Sequence, residues 1–363
     1  MRSRSQRVVI PTGDVQWVVI DSHGEIVQPI LEYLEYLGNL ERSPNTIRSY
    51  AGNLAKFWEF LESSDMDWRL LQLENLAEFM AWLRNPEPSV VPVNSKVSIR
   101  AESTVNRFIT VIYNFYEFQR RSGAIAGIDG YDYKQLPKRR YKPFLHHVTK
   151  GNASKVKRLK LREPRRLPKV LTQAQVRTIL ASCKHLRDKL LITLLYETGM
   201  RIGQALGLRH EDIRSWDNEI LIVPRNDNVN RARAKTDTEY VIHTSSNVMS
   251  FYSAYLVDEY PSEIDSDYVF VNIWAGARGM PMNYEGSRAL LLTLRRRTGI
   301  YFNWHMFRHT HATSLLQHDW NMALVQKRLG HKSIQTTIDT YAHLDDKDMR
   351  RAHQQFLEKW QQH

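Results

Sequence analysis

Residues 305–316 read HMFRHTHATSLL, residues 328–337 read RLGHKSIQTT and residues 338–344 read IDTYAHL. In sequence order they deliver His305, Arg308, the pair Gly330-His331 and Tyr341. About a hundred residues upstream, YETGMRIGQALGLRHEDI over residues 196–213 supplies Arg201. Two arginines, two histidines and a late tyrosine suit phosphoryl transfer. A phosphodiester under attack spreads negative charge over its non-bridging oxygens, which guanidinium forks bind in a fixed plane. A tyrosine phenol can serve as the nucleophile that stores the phosphoryl group.

At these residues the chain resembles the tyrosine recombinases, also called the phage integrase family. The resemblance implies that Arg201, in a T-G-x-R helix start, is the first phosphate clamp, and that His305 and Arg308 form the His-x-x-Arg pair. It further implies that Gly330-His331 is the Gly-His turn and that Tyr341 is the nucleophile. A lysine on a β-hairpin between the first arginine and the His-x-x-Arg segment is also implied, and Lys235 in RARAKTDTEYVIHTS, residues 231–245, fits best. It leads into the alternating strand Tyr240, Val241, Ile242, His243, with turn-forming Asn226, Asp227 and Asn228 upstream. His-x-x-Arg alone recurs by chance in many chains; the order and spacing of the set make it specific.

The chemistry assigns the roles. Tyr341 Oη attacks phosphorus in line, and the resemblance implies a 3′-phosphotyrosyl bond and a free 5′-hydroxyl. Arg201 and Arg308 hold the non-bridging oxygens and lower the tyrosine pKa from about 10. His305 and His331 donate or relay protons, and Lys235 protonates the leaving 5′-oxygen. No metal or nucleotide cofactor is expected, because cationic side chains neutralise the charge and the covalent link conserves the phosphodiester energy. One position departs from the family, which commonly has glutamate three residues after the first arginine. Here it is Gln204, whose amide can still accept a bond from a guanidinium. His305 and His309, four apart, also admit a metal-cluster reading, which the lack of nearby carboxylate or cysteine ligands disfavours.

Composition bounds the partner. The chain has 363 residues, 42% of them hydrophobic, enough for two domains, and a formal net charge of +12 with pI about 9.6. A polyanion is expected, with double-stranded DNA the leading candidate. From Lys134 to Lys169 fourteen basic residues face one acid, Glu163, so this segment concentrates the excess. Lys138, Arg139, Arg140, Lys157 and Arg158 are its candidate phosphate contacts, set against a solvated tether that touches nothing. The one cysteine, Cys183, excludes an intrachain disulfide and fits a reducing compartment. No apolar run approaches membrane-spanning length and the first residues lack a signal-peptide stretch, so a soluble cytoplasmic protein without membrane contact is expected.

The fold expected is mainly α with a small β-sheet: a helical core-binding (SAM-like) domain and a mixed α/β tyrosine recombinase catalytic domain. Residues 1–24 read as an appended β-hairpin, either a DNA-contacting device or a cap. Residues 25–125 carry helical stripes such as Ile47, Tyr50, Leu54, Phe57, Trp58 and Leu61, with a helix start at Ser43-Pro44 and a loop over 86–93. Helix starts present free N–H groups to phosphate, so Asn45, Thr46, Arg48, Ser49, Thr104, Asn106 and Arg107 are candidate DNA contacts. Residues 126–166 read as a basic linker and 167–363 as the catalytic domain. Its amphipathic tail carries Met349, Phe356, Leu357 and Trp360.

Within the family, LEYLEYLGNLERSPNTIRSYAGNL, residues 31–54, looks like the transposases of a branch of site-specific unit transposons. The family resemblance implies a tetramer, homo- or hetero-, on paired sites, with the tail docked on a neighbour in preference to its own domain, and the branch implies a second recombinase and a small accessory protein as partners. A phage or conjugative-element integrase would have the same chemistry. A type IB topoisomerase would use the same residues without synapsis, and a non-catalytic regulator would lack a catalytic Tyr or Arg, none of which is missing.

Overall fold

The computed structural model describes residues 2–9, 15–85, 99–125, 131–134, 154–157, 159–164, 168–236, 238–261, 263–274, 277–318 and 320–330. The chain divides into two compact units, Met1–Arg165 and Arg166–His363.

The first unit begins with an antiparallel pair, β1 (Arg4–Val9) and β2 (Val15–Ile20), in which Arg7 faces Trp17. Helices α1 (Gln28–Asn39), α2 (Pro44–Ser63), α3 (Leu73–Arg84) and α4 (Glu102–Arg121) follow. Their apolar stripes meet in a core rich in aromatic rings, where Phe57 lies edge-on to Phe79 and to Tyr116. The start at Ser43-Pro44 is as expected: Ser43 Oγ accepts from the Thr46 N–H at 3.2 Å and proline takes the first helical position.

Of the two readings of the hairpin, the cap fits the packing: Val19 is fully buried in the helical core and Glu62 of α2 accepts hydrogen bonds from both Ser3 and Ser22. A boundary at residue 24 would cut one core in two. Within the basic stretch β3 (Tyr131–Lys134) pairs antiparallel with β4 (Ser154–Lys157), placing Lys157 opposite Tyr131, a pairing the sequence reading did not anticipate. Charge density hid the strand propensity of Tyr131 and Tyr133. The loop at 86–93 and the positions Lys138, Arg139, Arg140 and Arg158 lie outside the described residues.

The second unit is built around α6 (Leu186–Thr198), which follows α5 (Gln173–Ser182). Leu190, Leu191, Ile192, Leu194 and Leu195 of α6 are buried around its whole circumference, which is why it shows no amphipathic stripe. Short α7 (Ile202–Leu206) leads through a 3-10 turn to a sheet in the order β5 (Ile213–Arg214), β6 (Glu219–Ile222) and β7 (Tyr240–His243), all antiparallel. Helices α8 (Ser246–Asp258), α9 (Tyr284–Thr298), α10 (Trp304–Gln317) and α11 (Met322–Leu329) complete the described unit. The mainly helical chain with small sheets is thus as the sequence implies. No helix among the described residues is long and apolar enough to cross a membrane.

Candidate active site

Three chain breaks in regular structure converge in the second unit. Helix α6 stops at Gly199, whose φ of +64° suits a left-handed cap. A Cβ there would meet the His311 ring at 2.7 Å and Leu329 at 2.9 Å, so glycine lets α10 and α11 close onto this end. Met200 is buried, and Arg201 then stands at the N-cap of α7.

Helix α10 begins at Asn303, whose side chain accepts from the Met306 N–H, and presents His305, Arg308 and His309 within its first two turns. Arg308 is only 1% exposed. Its Nη1 donates to Gly199 O at 3.0 Å and its Nη2 to Leu329 O at 2.8 Å. Those carbonyls end α6 and α11, so one guanidinium fork joins three helices and lies two residues from Arg201 in one direction and two from His331 in the other.

Arg201 is half-buried, and its Nη1 is buried without a hydrogen-bond partner among the described residues. Burial lowers its pKa, opposed by Tyr240. A desolvated guanidinium N–H with nothing to bind is costly unless an anion supplies the acceptor. Gln204, which could accept from the guanidinium, is bonded elsewhere. Its Oε1 accepts from the Arg201 backbone N–H at 2.8 Å and its Nε2 donates to the Tyr240 hydroxyl at 2.9 Å. A backbone N–H at a helix start needs an acceptor as much as a side chain does, and Gln204 is one turn away.

His305 stands edge-to-face with His309, ring centroids 4.5 Å apart. Its pKa is held down to about 4, first by surrounding protein atoms, then by His309 and by the positive charges of Arg308, Arg201 and Lys235. That shared field places the four cationic or titratable groups in one neighbourhood. Lys235 is exposed, with a φ of +54°, in the long loop 223–239 that replaces a tight hairpin between β6 and β7. In Arg231-Ala232-Arg233-Ala234-Lys235 the alanines are buried, Arg231 and Lys235 are exposed and Arg233 is half-buried. Asn230 Nδ2 pins the loop to the carbonyls of Leu206 and Met282.

The structure therefore brings Arg201, Lys235, His305 and Arg308 together. His331, Tyr341, and the tail residues Met349, Phe356, Leu357 and Trp360 lie outside the described residues. Tyr240 and Arg328 were missed in the sequence. Arg328 Nε donates to His311 Nε2 at 3.0 Å and its Nη2 to the carbonyls of His243 and Glu197, tying α11 to α10, β7 and α6. Its place two residues before Gly330 was the available signal. Among the described residues no three His, Cys, Asp or Glu side chains form a group that could hold a metal.

In the first unit Asn45, Arg48 and Arg107 are exposed and Thr46, Ser49 and Thr104 are partly so. Arg48 lies over Trp17, 5.5 Å from the ring centroid, so hairpin and helix start share one cationic face. Asn106 does not fit the DNA-facing role given to it. It is buried, and its amide donates to Leu161 O and Glu163 Oε1 while accepting from the Leu161 N–H. Every group that could reach phosphate is committed to holding residues 161–163.

The phage integrase family model matches residues 169–348, and the model for the phage integrase N-terminal SAM-like domain matches residues 30–123. Transposase A from transposon Tn554 of Staphylococcus aureus is 42% identical over 344 residues, 94% of either chain. Tyrosine recombinase XerA of Pyrococcus horikoshii is 26% identical over 91% of this chain and 93% of its own. Two solved structures share the fold at low identity. The Tn1549 transposon integrase has a TM-score of 0.59 at 16% identity, covering 90% of this chain and 98% of that one. The XerH site-specific recombinase has a TM-score of 0.58 at 19% identity, covering 86% and 80%. With the matched domains, the near full-length identity and a convergent pair of arginines, the chain belongs to the phage integrase family and is a tyrosine recombinase, an enzyme that cuts and rejoins DNA strands.

Proposed function

We propose that this chain is the transposase of a mobile element, moving it by site-specific cleavage and rejoining at paired double-stranded DNA sites. Near full-length identity to a transposon's transposase A supports that branch over a phage integrase. The observation that carries the chemistry is the Arg308 fork anchored on Gly199, two residues before Arg201, whose Nη1 is buried without a partner among the described residues. A partly desolvated guanidinium N–H of this kind needs an anion as its acceptor. Tyr341 Oη bonds to the scissile phosphorus as the P–O5′ bond breaks, and Lys235 Nζ gives its proton to the departing oxygen. His305, uncharged at neutral pH, and His331 relay protons around the phosphate. The phosphotyrosyl link is then attacked by the 5′-hydroxyl of another strand, which restores Tyr341.

DNA is gripped by exposed cations of the first unit, including Arg48 and Arg107, helped by Thr46, Ser49, Asn45 and Thr104, and by the basic segment around Lys138, Arg139, Arg140, Lys157 and Arg158. Protomers assemble as a tetramer on paired sites in the cytoplasm, with a second recombinase and a small accessory protein as partners. Purified protein is incubated with supercoiled plasmid carrying two copies of the element's terminal sequence, in excess EDTA and without ATP. Recombined circles support the proposal. Relaxed topoisomers alone would indicate topoisomerase behaviour, and activity that requires added Mg²⁺ would overturn the cation-only mechanism.

A further inference from the structure

Gln204 is buried, 3% exposed, and its amide has a forced orientation. The Arg201 backbone N–H can only donate, so the amide oxygen must face it and the amide nitrogen must face Tyr240. Tyr240 opens β7, and its ring lies against Gly330. A Cβ on Gly330 would come within 2.7 Å of the Tyr240 Cζ and hydroxyl oxygen, and Gly330 holds a φ of +63°. A continuous physical line therefore runs from the Arg201 backbone through Gln204 and Tyr240 to the turn that immediately precedes His331 in sequence. Arg308, which binds Leu329 O next to Gly330, closes the same ring from the other side.

We propose that Gln204 and Tyr240 are a positioning pair for strand cleavage, a latch that fixes the Arg201 helix start against the Gly330 turn so that the two halves of the phosphate clamp stay in register. Neither is a catalytic residue; both act through the Arg201 helix start and the Gly330 turn. The inference rests on the recombinase reading above. Glutamine suits position 204, because its amide donates to the phenol oxygen while also accepting from the backbone. Burial raises the Tyr240 pKa, opposed by the Gln204 bond and by the charges of Arg308 and Arg201, so the phenol remains neutral and keeps its place in the latch at physiological pH.

The test uses the full chain and a nicked suicide duplex carrying the terminal sequence of the element in which the gene lies. Tyr240→Phe keeps the ring against Gly330 and removes only the hydroxyl; Gln204→Leu removes both amide bonds at similar volume. Each is expected to slow single-turnover adduct formation by roughly three- to tenfold, the worth of one or two hydrogen bonds, with unchanged affinity for the same duplex and with the variant still fully folded at the assay temperature, because the lost bond leaves the Gln204 amide nitrogen without its acceptor and lowers the melting temperature only modestly. The double variant should be no slower than the slower single one, because both remove one latch. Gln204→Glu, which can still accept from Arg201 and can accept the Tyr240 proton, should restore most of the rate. Wild-type cleavage by Tyr240→Phe, multiplying losses in the double variant, or a loss explained by weaker DNA binding would each overturn the latch. If the wild-type chain forms no adduct, the recombinase reading itself fails and the inference falls with it.

Discussion

The Arg308 guanidinium donates to the Gly199 carbonyl at 3.0 Å, joining the second turn of the His-x-x-Arg helix to the helix end just before Arg201. The two arginines are 107 positions apart in sequence, and this bond makes their spacing a property of the backbone of α6. The same fork reaches Leu329 O, so the end of α11 is set by the same side chain.

Arg308→Lys should therefore fail twice. An ammonium keeps the charge but cannot address two carbonyls and a phosphate in one plane. At least one buried carbonyl loses its donor, which lowers unfolding stability by about 1–3 kcal/mol in urea titrations. Adduct formation should fall by more than a hundredfold. A lysine variant with wild-type stability and cleavage would show that the bridge is incidental.

Gly203 sets the approach of the lysine loop. A Cβ there would stand 2.5 Å from the Arg233 carbonyl, an obstacle of backbone and not a movable side chain, and would also strike the Tyr284 hydroxyl. Gly203→Ala gains helix propensity, but forced overpacking outweighs it, so a net loss of about 1–3 kcal/mol is expected. Cleavage should drop further than stability implies, because the displaced segment carries Lys235. Calorimetry and a single-turnover assay on the same sample check both.

Acid should weaken the second unit through its histidines. His305 is held down to about 4 mainly by burial, then by His309, Arg308, Arg201 and Lys235, and His311 is held down to about 3 by burial and Arg328. Both folded values lie below the ordinary 6.5, so the unfolded chain binds more protons as pH falls. Stability should decline below pH 6.5, with the loss from His305 complete near 4 and that from His311 near 3. In proton NMR titrations the free protein should show His305 near 4, rising when duplex DNA brings phosphate charge beside it. A midpoint of 6.5 in the free protein would contradict the cationic cluster.

The convergence of Arg201, His305 and Arg308 was legible because arginine and histidine in a fixed order suit one reaction whatever holds them. Helix starts such as Ser43-Pro44 were legible because capping is local. The carrier network was not: Arg308 reaches Gly199 and Leu329 through carbonyls, which every residue has, so sequence gives no sign of the partner. Asn106 misled because it lies one turn into α4 but faces inward, where residues 161–163 take its amide. The hairpin itself was legible, but its packing as a cap was not decided, since the burial of Val19 depends on helices that arrive later in the chain.

The cations assigned to DNA divide into testable groups. Each side chain that neutralises a phosphate adds about 0.9 to the slope of log affinity against log salt. Arg48→Ala with Arg107→Ala should reduce that slope by roughly two, and alanine at Lys138, Arg139 and Arg140 by roughly two to three. The loss should be equal on target and unrelated duplex, because phosphate contacts carry no direct sequence information. An unchanged slope would mean these side chains are only solvated.

The central claim is that Arg201 and Arg308 hold a phosphodiester for attack by Tyr341. A nicked suicide duplex that traps the covalent intermediate tests it most directly, with the attached residue identified by peptide mass spectrometry. The wild-type chain should yield one DNA-linked peptide, bonded at Tyr341 through a 3′-phosphate, and Tyr341→Phe should bind the duplex with unchanged affinity and yield none. A DNA-linked peptide from the Phe variant, or a link at any other residue, would contradict the account.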